Sequence, residues 1–210
     1  MKMAAMKINK FLPLLLTSTV YGIAPAPQQP NVILISTDDQ GFGDLSYNGN
    51  PFLRTPAIDK LAGESIRFSN FYVCPVSAPT RAGLMTGRYF LRTGVRDTNN
   101  GGAIMATSEI TIAEILRDAG YKTGVFGKWH LGDNYPSRPG DQGFDESIIH
   151  LSGGMAQPGD ITTWLRGDSS YFDPVLWHNG KKQQYKGYCS DIFAGDALKF
   201  IMDNKSTGFF

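Results

Sequence analysis

The sequence has 210 residues, of which 41% are hydrophobic and 19% are charged, and this composition suits one domain with a sizeable core. The formal net charge of +1 excludes the strongly basic surface of a protein that binds nucleic acid or anionic membranes. The 24 glycines and 12 prolines follow no repeat and indicate a loop-rich α/β protein. The chain has two cysteines, Cys74 and Cys189, which excludes a disulfide scaffold and a four-ligand structural zinc site.

Residues 1–22 have the pattern of a secretory signal peptide. Three lysines precede a short apolar stretch at residues 11–20, and small residues follow it. The stretch is about half the roughly 20 residues of a membrane-spanning helix, so no membrane span is expected in the mature chain. Residues 23–30 are predicted to be a Pro-rich lead-in, and the protein is predicted to be exported. A disordered start that merely contains leucines is the alternative.

Strand and helix signals alternate along the rest of the chain. The continuous β-branched run at residues 31–37 is typical of a strand buried on both faces of a parallel sheet. Further strands are predicted at residues 66–73, 121–126, 146–151 and 207–210. Helices are predicted at residues 56–62, 79–85, 112–119 and 190–201. This alternation predicts an α/β fold with a mostly parallel central sheet flanked by helices.

The last residues, 207–210, are predicted to be a strand that enters the core. A core strand seldom stands at a C-terminus, because its exposed edge would invite aggregation. The pattern therefore favours the N-terminal fragment of a longer protein. A short terminal edge strand is the alternative.

Asp38 and Asp39 directly follow the first predicted strand. Ligands of open α/β sheets bind outside the carboxyl ends of the strands, so a functional pair is expected there. Two adjacent carboxylates repel each other unless a cation neutralises them, and hard oxygen donors suit Ca²⁺ or Mg²⁺. The alternative is a solvated turn, since two aspartates before Gln40 and Gly41 are common turn residues.

The segment from Cys74 to Arg88 combines a hydroxyl group, a helix start and a cation. Ser77 is predicted to lie at the helix N-terminus, where unpaired N–H groups and the helix dipole favour an anion. Arg81 follows about one helical turn later, and its planar guanidinium suits a tetrahedral oxyanion. This pattern indicates a nucleophile beside an anion. The alternative is an ordinary helix capped by Ser77 or Thr80.

Lys128 and His130 follow the third predicted strand. Residues two apart on an extended segment point to the same side, so both are expected to face one pocket. A histidine that titrates near neutral pH suits proton transfer. An isolated pair of this kind is more often a solvated lysine and a structural histidine. His150 and His178 match no motif and are predicted to be structural.

Together these segments resemble the formylglycine-dependent sulfatases of the alkaline phosphatase superfamily. The family signature reads Cys or Ser, any residue, Pro, a small residue and Arg, then an end similar to Leu-Thr-Gly-Arg. Residues 77–81 read Ser-Ala-Pro-Thr-Arg, and residues 84–88 read Leu-Met-Thr-Gly-Arg. The aspartate pair precedes this signature, and Gly-Lys-Trp-His-Leu-Gly at residues 127–132 follows it, in the family's order. The resemblance implies an alkaline-phosphatase-like sandwich, with residues 31–210 as the N-terminal part of the catalytic domain.

The resemblance implies that Ser77 is oxidised to Cα-formylglycine by a maturase that accepts serine. Maturases of this kind occur largely in bacteria. The aldehyde hydrates to a gem-diol, and deprotonation of its second hydroxyl expels sulfate and regenerates the aldehyde. Cys74 is out of register, because Val76 rather than a proline stands two residues later. Thr80 stands where the family more often has serine.

The remaining roles are also implied by the resemblance. It implies that Arg81 and Lys128 bind the sulfate oxygens. It also implies that His130 takes the proton of the second hydroxyl group. The metal ligands within this chain are Asp38, Asp39 and Ser77, with Ca²⁺ as the expected ion and Mg²⁺ as the other possibility.

The implied activity is hydrolysis of a sulfate ester on a small aryl or carbohydrate molecule, in the bacterial periplasm or outside the cell. The family's later metal and substrate residues match nothing in residues 151–210, so residues 23–210 alone are expected to be inactive and poorly folded. A phosphatase, phosphodiesterase or phosphonate hydrolase on the same scaffold is one alternative. A non-catalytic relative in which Ser77 stays serine is the other.

Overall fold

A computed structural model of the protein describes residues 29–98, 102–157, 160, 162 and 170–210. The predicted signal peptide and most of the predicted Pro-rich lead-in lie outside these residues. The helices are α1 (Pro56–Gly63), α2 (Ser77–Thr86), α3 (Ile112–Asp118) and α4 (Cys189–Asn204). The strands are β1 (Gly124–Lys128), β2 (Glu146–His150), β3 (Val175–His178) and β4 (Lys181–Gln184). In the described ranges, no helix is long and apolar enough to cross a membrane.

The four strands form one sheet in the order β1-β2-β3-β4, with β1 and β2 parallel and the other two pairs antiparallel. The β3–β4 hairpin is not among the predicted elements. Its turn is Asn179-Gly180, and both residues have positive φ angles, 48° and 77°. This is the residue pair that a two-residue hairpin turn favours, so the hairpin has a local signal.

All four predicted helices are confirmed, and local signals mark the end of α2 and the start of α3. Helix α2 begins at Ser77 and ends before Gly87, which has a φ angle of 65°. In α3, the Thr111 hydroxyl accepts a hydrogen bond from the Glu114 N–H, and the Glu114 side chain accepts one from the Thr111 N–H. These reciprocal bonds satisfy two amides that a helix start otherwise leaves unpaired.

The predictions of strands at residues 31–37 and 66–73 are wrong for the described structure. Both runs lack regular strand structure, and Ile33 and Ile35 are 60% and 78% exposed. One backbone hydrogen bond joins the first run to the C-terminal residues, from the Val32 N–H to the Phe209 carbonyl. A β-branched run becomes a strand only where neighbouring backbone completes a ladder, which local composition does not determine.

The C-terminal residues do enter the core, as the sequence predicts. The Lys122 N–H donates to the Gly208 carbonyl, and the Phe210 N–H donates to the Lys122 carbonyl. Phe209 and Phe210 are buried. Through these bonds, the C-terminal residues pair in parallel with the chain segment that leads into β1.

Among the described residues, the core has two apolar clusters that involve opposite faces of β2. Ile149 belongs to a cluster with Leu131 and Trp129, whereas Ile148 belongs to a cluster with Leu176 and residues of α4. Consecutive side chains of a strand point to opposite faces, so both faces of β2 are covered. This packing fixes the carboxyl ends of β1 and β2, where the candidate site lies.

Candidate active site

Helix α2 is tied to the carboxyl end of β1. The Arg81 Nη1 donates to the backbone carbonyl of Lys128 at 2.9 Å. Beyond β1, the Trp129 and His130 N–H groups donate to the carbonyls of His150 and Leu151. His130 has a φ angle of 60°, which turns the chain at this point. The start of α2 and the residues after β1 therefore form one rigid corner.

Ser77 and His130, 53 residues apart, meet at this corner. The Ser77 Oγ lies 2.7 Å from the His130 Nδ1, and the His130 Nε2 lies 2.9 Å from the Thr98 carbonyl oxygen. A carbonyl oxygen only accepts hydrogen bonds, so Nε2 carries the proton. The Nδ1 lone pair then accepts the proton of the Ser77 hydroxyl.

The environment of His130 favours its neutral form. Burial lowers the pKa of His130 below 6.5, and the positive charges of Lys128 and Arg81 lower this pKa further, against the opposing hydrogen bond to Thr98. A neutral imidazole has the free lone pair that a general base needs. The Ser77–His130 pair thus has the geometry and the charge state of a hydroxyl beside its base.

Two cations and a carboxylate lie next to this pair. The Lys128 Nζ lies 2.8 Å from the Asp38 Oδ2, and the Arg81 Nη2 lies 3.9 Å from the Asp38 Oδ1. Partial burial alone would raise the pKa of Asp38, but the hydrogen bond and charge of Lys128, together with Arg81, lower it. Asp38 is therefore ionised at neutral pH. The Arg81 Nε is buried and has no partner among the described residues, so it remains available to an anion.

Asp39 is not drawn into these contacts. It is exposed, with a φ angle of 55°, and no hydrogen bond joins it to Ser77, Arg81, Lys128 or His130. The described part of the chain contains no cluster of three or more His, Cys, Asp or Glu side chains that could hold a metal ion. Ca²⁺ takes about six to eight oxygen ligands, so the two carboxylates fit part of such a donor set.

His150, which the sequence predicts to be structural, lies at this site. It ends β2 as the register partner of Lys128, and it is 7% exposed. Burial, and then the charges of Lys128 and Arg81, lower the pKa of His150 to about 3. Its position at the carboxyl end of a predicted strand is the signal that could have marked it from the sequence. His178 instead lies 2.7 Å from the Glu146 carboxylate on the neighbouring strand.

Comparison with known proteins places this chain in a family. Residues 30–210 match the sulfatase family. The chain is 39% identical over 144 residues to the N-acetylgalactosamine-6-sulfatase of Sus scrofa, covering 63% of this chain and 28% of that protein. It is 38% identical over 178 residues to the N-acetylglucosamine-6-O-sulfatase of Bacteroides thetaiotaomicron, covering 83% of this chain and 28% of that protein.

The solved structure of BT4656 in complex with its substrate D-glucosamine-2-N,6-O-disulfate superposes with a TM-score of 0.70 at 33% identity, covering 87% of this chain and 33% of that chain. This likeness confirms the predicted alkaline-phosphatase-like α/β fold class. The chain spans 28% of the length of each of the two curated relatives. Because the family match extends over residues 30–210, the chain belongs to the sulfatase family.

Proposed function

We propose that this protein hydrolyses sulfate esters of carbohydrates. One observation carries the proposal: the Ser77 Oγ lies 2.7 Å from His130, whose pKa is lowered by burial and by the positive charges of Lys128 and Arg81. A hydroxyl beside its base, with two cations at hand, suits transfer of an anionic group. Membership of the sulfatase family favours sulfuryl over phosphoryl as that group.

In the proposed mechanism, Ser77 is first matured to Cα-formylglycine by a formylglycine-generating enzyme that accepts serine. The hydrate of this residue supplies one hydroxyl oxygen that attacks sulfur while the S–O bond to the sugar breaks, and the sugar leaves as the alcohol. Deprotonation of the second hydroxyl then re-forms the aldehyde C=O and breaks the bond from carbon to the sulfated oxygen, which releases sulfate, and water restores the hydrate. His130 takes that proton at Nδ1, while its Nε2–H remains bonded to the Thr98 carbonyl. Arg81 and Lys128 bind the sulfate oxygens and stabilise the charge that develops on them.

Asp38 and Asp39 are the residues that would hold a divalent cation, which we propose to be Ca²⁺, with Mg²⁺ as the other possibility. A bound cation would stabilise negative charge on the transferred group. The Lys128 hydrogen bond and charge lower the pKa of Asp38 against the effect of burial, so this carboxylate is ionised as a ligand must be. Further oxygen donors are required to complete the site.

The proposed substrate is a sulfated glycan or sulfated sugar. The relatives from Sus scrofa and Bacteroides thetaiotaomicron are named for 6-sulfated amino sugars, and BT4656 was crystallised with a disulfated glucosamine. We also propose that the protein is exported to the periplasm or secreted, because residues 1–22 have a signal-peptide pattern.

The test is hydrolysis by the whole protein after co-expression with a formylglycine-generating enzyme. We expect release of sulfate from 4-nitrophenyl sulfate and from 6-sulfated N-acetylglucosamine, and a tryptic peptide containing Ser77 that is two hydrogens lighter than the serine form. Ser77→Ala should abolish turnover, and His130→Ala should lower it by about 10²–10⁴-fold, as expected for loss of a general base. Ser190→Ala, on the exposed surface of α4, is the matched control.

Two results would contradict the proposal in different ways. Faster hydrolysis of 4-nitrophenyl phosphate than of the sulfate would favour a phosphatase or phosphodiesterase on the same scaffold. Normal sulfate hydrolysis by a protein whose residue 77 remains serine would refute the formylglycine mechanism and leave the activity standing.

A further inference from the structure

His150 combines a site position with an unsatisfied hydrogen-bonding atom. It is the register partner of Lys128 at the carboxyl ends of two parallel strands, about 4.8 Å apart by the usual strand spacing. Its Nδ1 is buried and has no hydrogen-bond partner among the described residues. Buried polar atoms are nearly always paired in native proteins, so an unpaired one at a binding site indicates a partner that arrives with the ligand.

The charged groups that act on His150 belong to the candidate active site. Those that affect its protonation are Lys128, Arg81, Asp38 and His130. Two of them, Lys128 and Arg81, also lower the pKa of His130, whose Nδ1 lies 2.7 Å from the Ser77 Oγ. An atom in this position is therefore within the electrostatic reach of an anion held by Lys128 and Arg81.

The imidazole is neutral and is held in place. Burial, with Lys128 and Arg81 adding to the effect, lowers the pKa of His150 to about 3, so it does not compete with Lys128 for the Asp38 carboxylate. Its ring packs against Phe193 of α4, with 6.5 Å between the ring centroids. A neutral ring fixed in this way presents one N–H group to a ligand without adding a third positive charge.

We propose that His150 is a substrate-binding residue whose neutral Nδ1–H donates a hydrogen bond to a sulfate oxygen held by Lys128 and Arg81. The Nδ1–H tautomer follows from the ligand, because a sulfate oxygen only accepts hydrogen bonds. The inference rests on the proposed function, and it adds a third sulfate-binding side chain to Arg81 and Lys128.

Binding of inorganic sulfate to the whole protein in its unmatured Ser77 form tests the inference without turnover. In long-range ¹H–¹⁵N spectra of the unmutated protein, the His150 Nδ1 resonance should shift as sulfate is added, whereas the His178 resonances should not. By calorimetry, His150→Phe keeps a ring against Phe193 but removes the nitrogen, and should raise the sulfate Kd about tenfold or more. His150→Asn, which keeps an N–H group near Nδ1, should recover most of this loss, and His178→Phe should leave the Kd unchanged.

The outcomes separate this inference from the proposed function. Unchanged sulfate affinity in His150→Phe, or a His150 Nδ1 resonance that ignores sulfate, overturns the inference even if the matured protein hydrolyses sulfate esters. Binding of sulfate or phosphate that depends on His150, in a matured protein without sulfatase activity, supports the anion contact and refutes the proposed function. Absence of anion binding by the unmutated protein overturns the inference. If His150→Phe fails to fold, the spectra of the unmutated protein decide.

Discussion

Residues 29–73 and residues 121–210 contain similar apolar runs but use them differently. In the second region, the run in β2 is enclosed, and Ile149 is 1% exposed. In the first region, the run at residues 31–37 lacks strand structure, and Ile35 is 78% exposed. The two runs have similar amino-acid types, so the difference in their burial comes from the strands that lie beside them. Strand β2 has β1 on one side and β3 on the other.

Polar contacts supply local order in the first region. The Asp59 carboxylate accepts hydrogen bonds from the Ser46 hydroxyl, the Tyr47 N–H and the Thr55 hydroxyl. These bonds join α1 to the turn that precedes it. The comparison shows that local hydrogen bonds organise a short segment, whereas burial of an apolar run needs partners on both sides.

The largest expected effect comes from removing matched apolar side chains in the two regions. Ile149→Ala should lower the free energy of unfolding by about 2–5 kcal/mol, because it leaves a cavity between packed neighbours. Ile35→Ala should change it by less than about 0.5 kcal/mol, because the side chain is largely exposed. Urea denaturation midpoints of the two variants measure both values. Equal losses would show that the run at residues 31–37 is buried in solution.

A matched pair of glycines should give the next largest difference. Gly143 has a φ angle of 101°, and a Cβ atom there would overlap the backbone N of Glu114 in α3. Gly143→Ala should therefore cost about 2–4 kcal/mol of stability through strain and overpacking. Gly43, in the 3-10 helix Phe42–Asp44, has open space around the same position, so Gly43→Ala should be nearly neutral. Similar melting temperatures for the two variants would contradict this packing of α3.

Mild acidification, from about pH 7 to about pH 5, should separate the two regions by a smaller amount, about 2 kcal/mol. The folded-state pKa of His150, lowered mainly by burial, is about 3, against 6.5 for an unperturbed histidine. The unfolded chain therefore binds this proton first, and stability falls as the pH drops from about 6.5 toward 3, by up to about 1.4 kcal/mol per pH unit. The pKa of Asp59 is lowered, chiefly by its Ser46 hydrogen bond, so its stabilising contacts persist below pH 3.8.

Urea denaturation at about pH 7 and about pH 5 tests this expectation. The unmutated protein should lose more stability between the two values than His150→Phe, which cannot take up the proton. The protection factor of the Tyr47 amide, which corrects for the intrinsic pH dependence of exchange, should stay the same over this range because Asp59 remains ionised. An identical pH dependence in the variant would show that His150 is not buried as a neutral ring.

Elements with local signals are predicted well from this sequence. The end of α2 follows from the left-handed Gly87, and the start of α3 follows from the reciprocal bonds of Thr111 and Glu114. The β3–β4 hairpin has an equally local signal, Asn179-Gly180, although β4 is exposed and lacks an apolar pattern. The runs at residues 31–37 and 66–73 have good strand composition, but pairing depends on distant backbone.

The candidate site shows the same division between local and distant information. Ser77, Arg81, Lys128 and His130 are identifiable from short motifs. Their contacts span 47 to 53 residues, from Arg81 to Lys128 and from Ser77 to His130. His150 belongs to no motif, and its relation to Lys128 exists only through the register of two strands. Short motifs therefore mark four residues of the candidate site, and the register of the sheet brings to them His150, which belongs to no motif.

The acceptor that orients His130 belongs to the main chain. The Thr98 carbonyl receives the Nε2–H, and the N–H groups of Arg96 and Asp97, which precede Thr98, donate to the Gly102 carbonyl. A side-chain carboxylate in the same role could be lost by a single codon change, but a carbonyl persists whatever amino acid occupies position 98. The tautomer of His130 is thus protected against point mutation and vulnerable to insertions or deletions that shift the backbone at position 98.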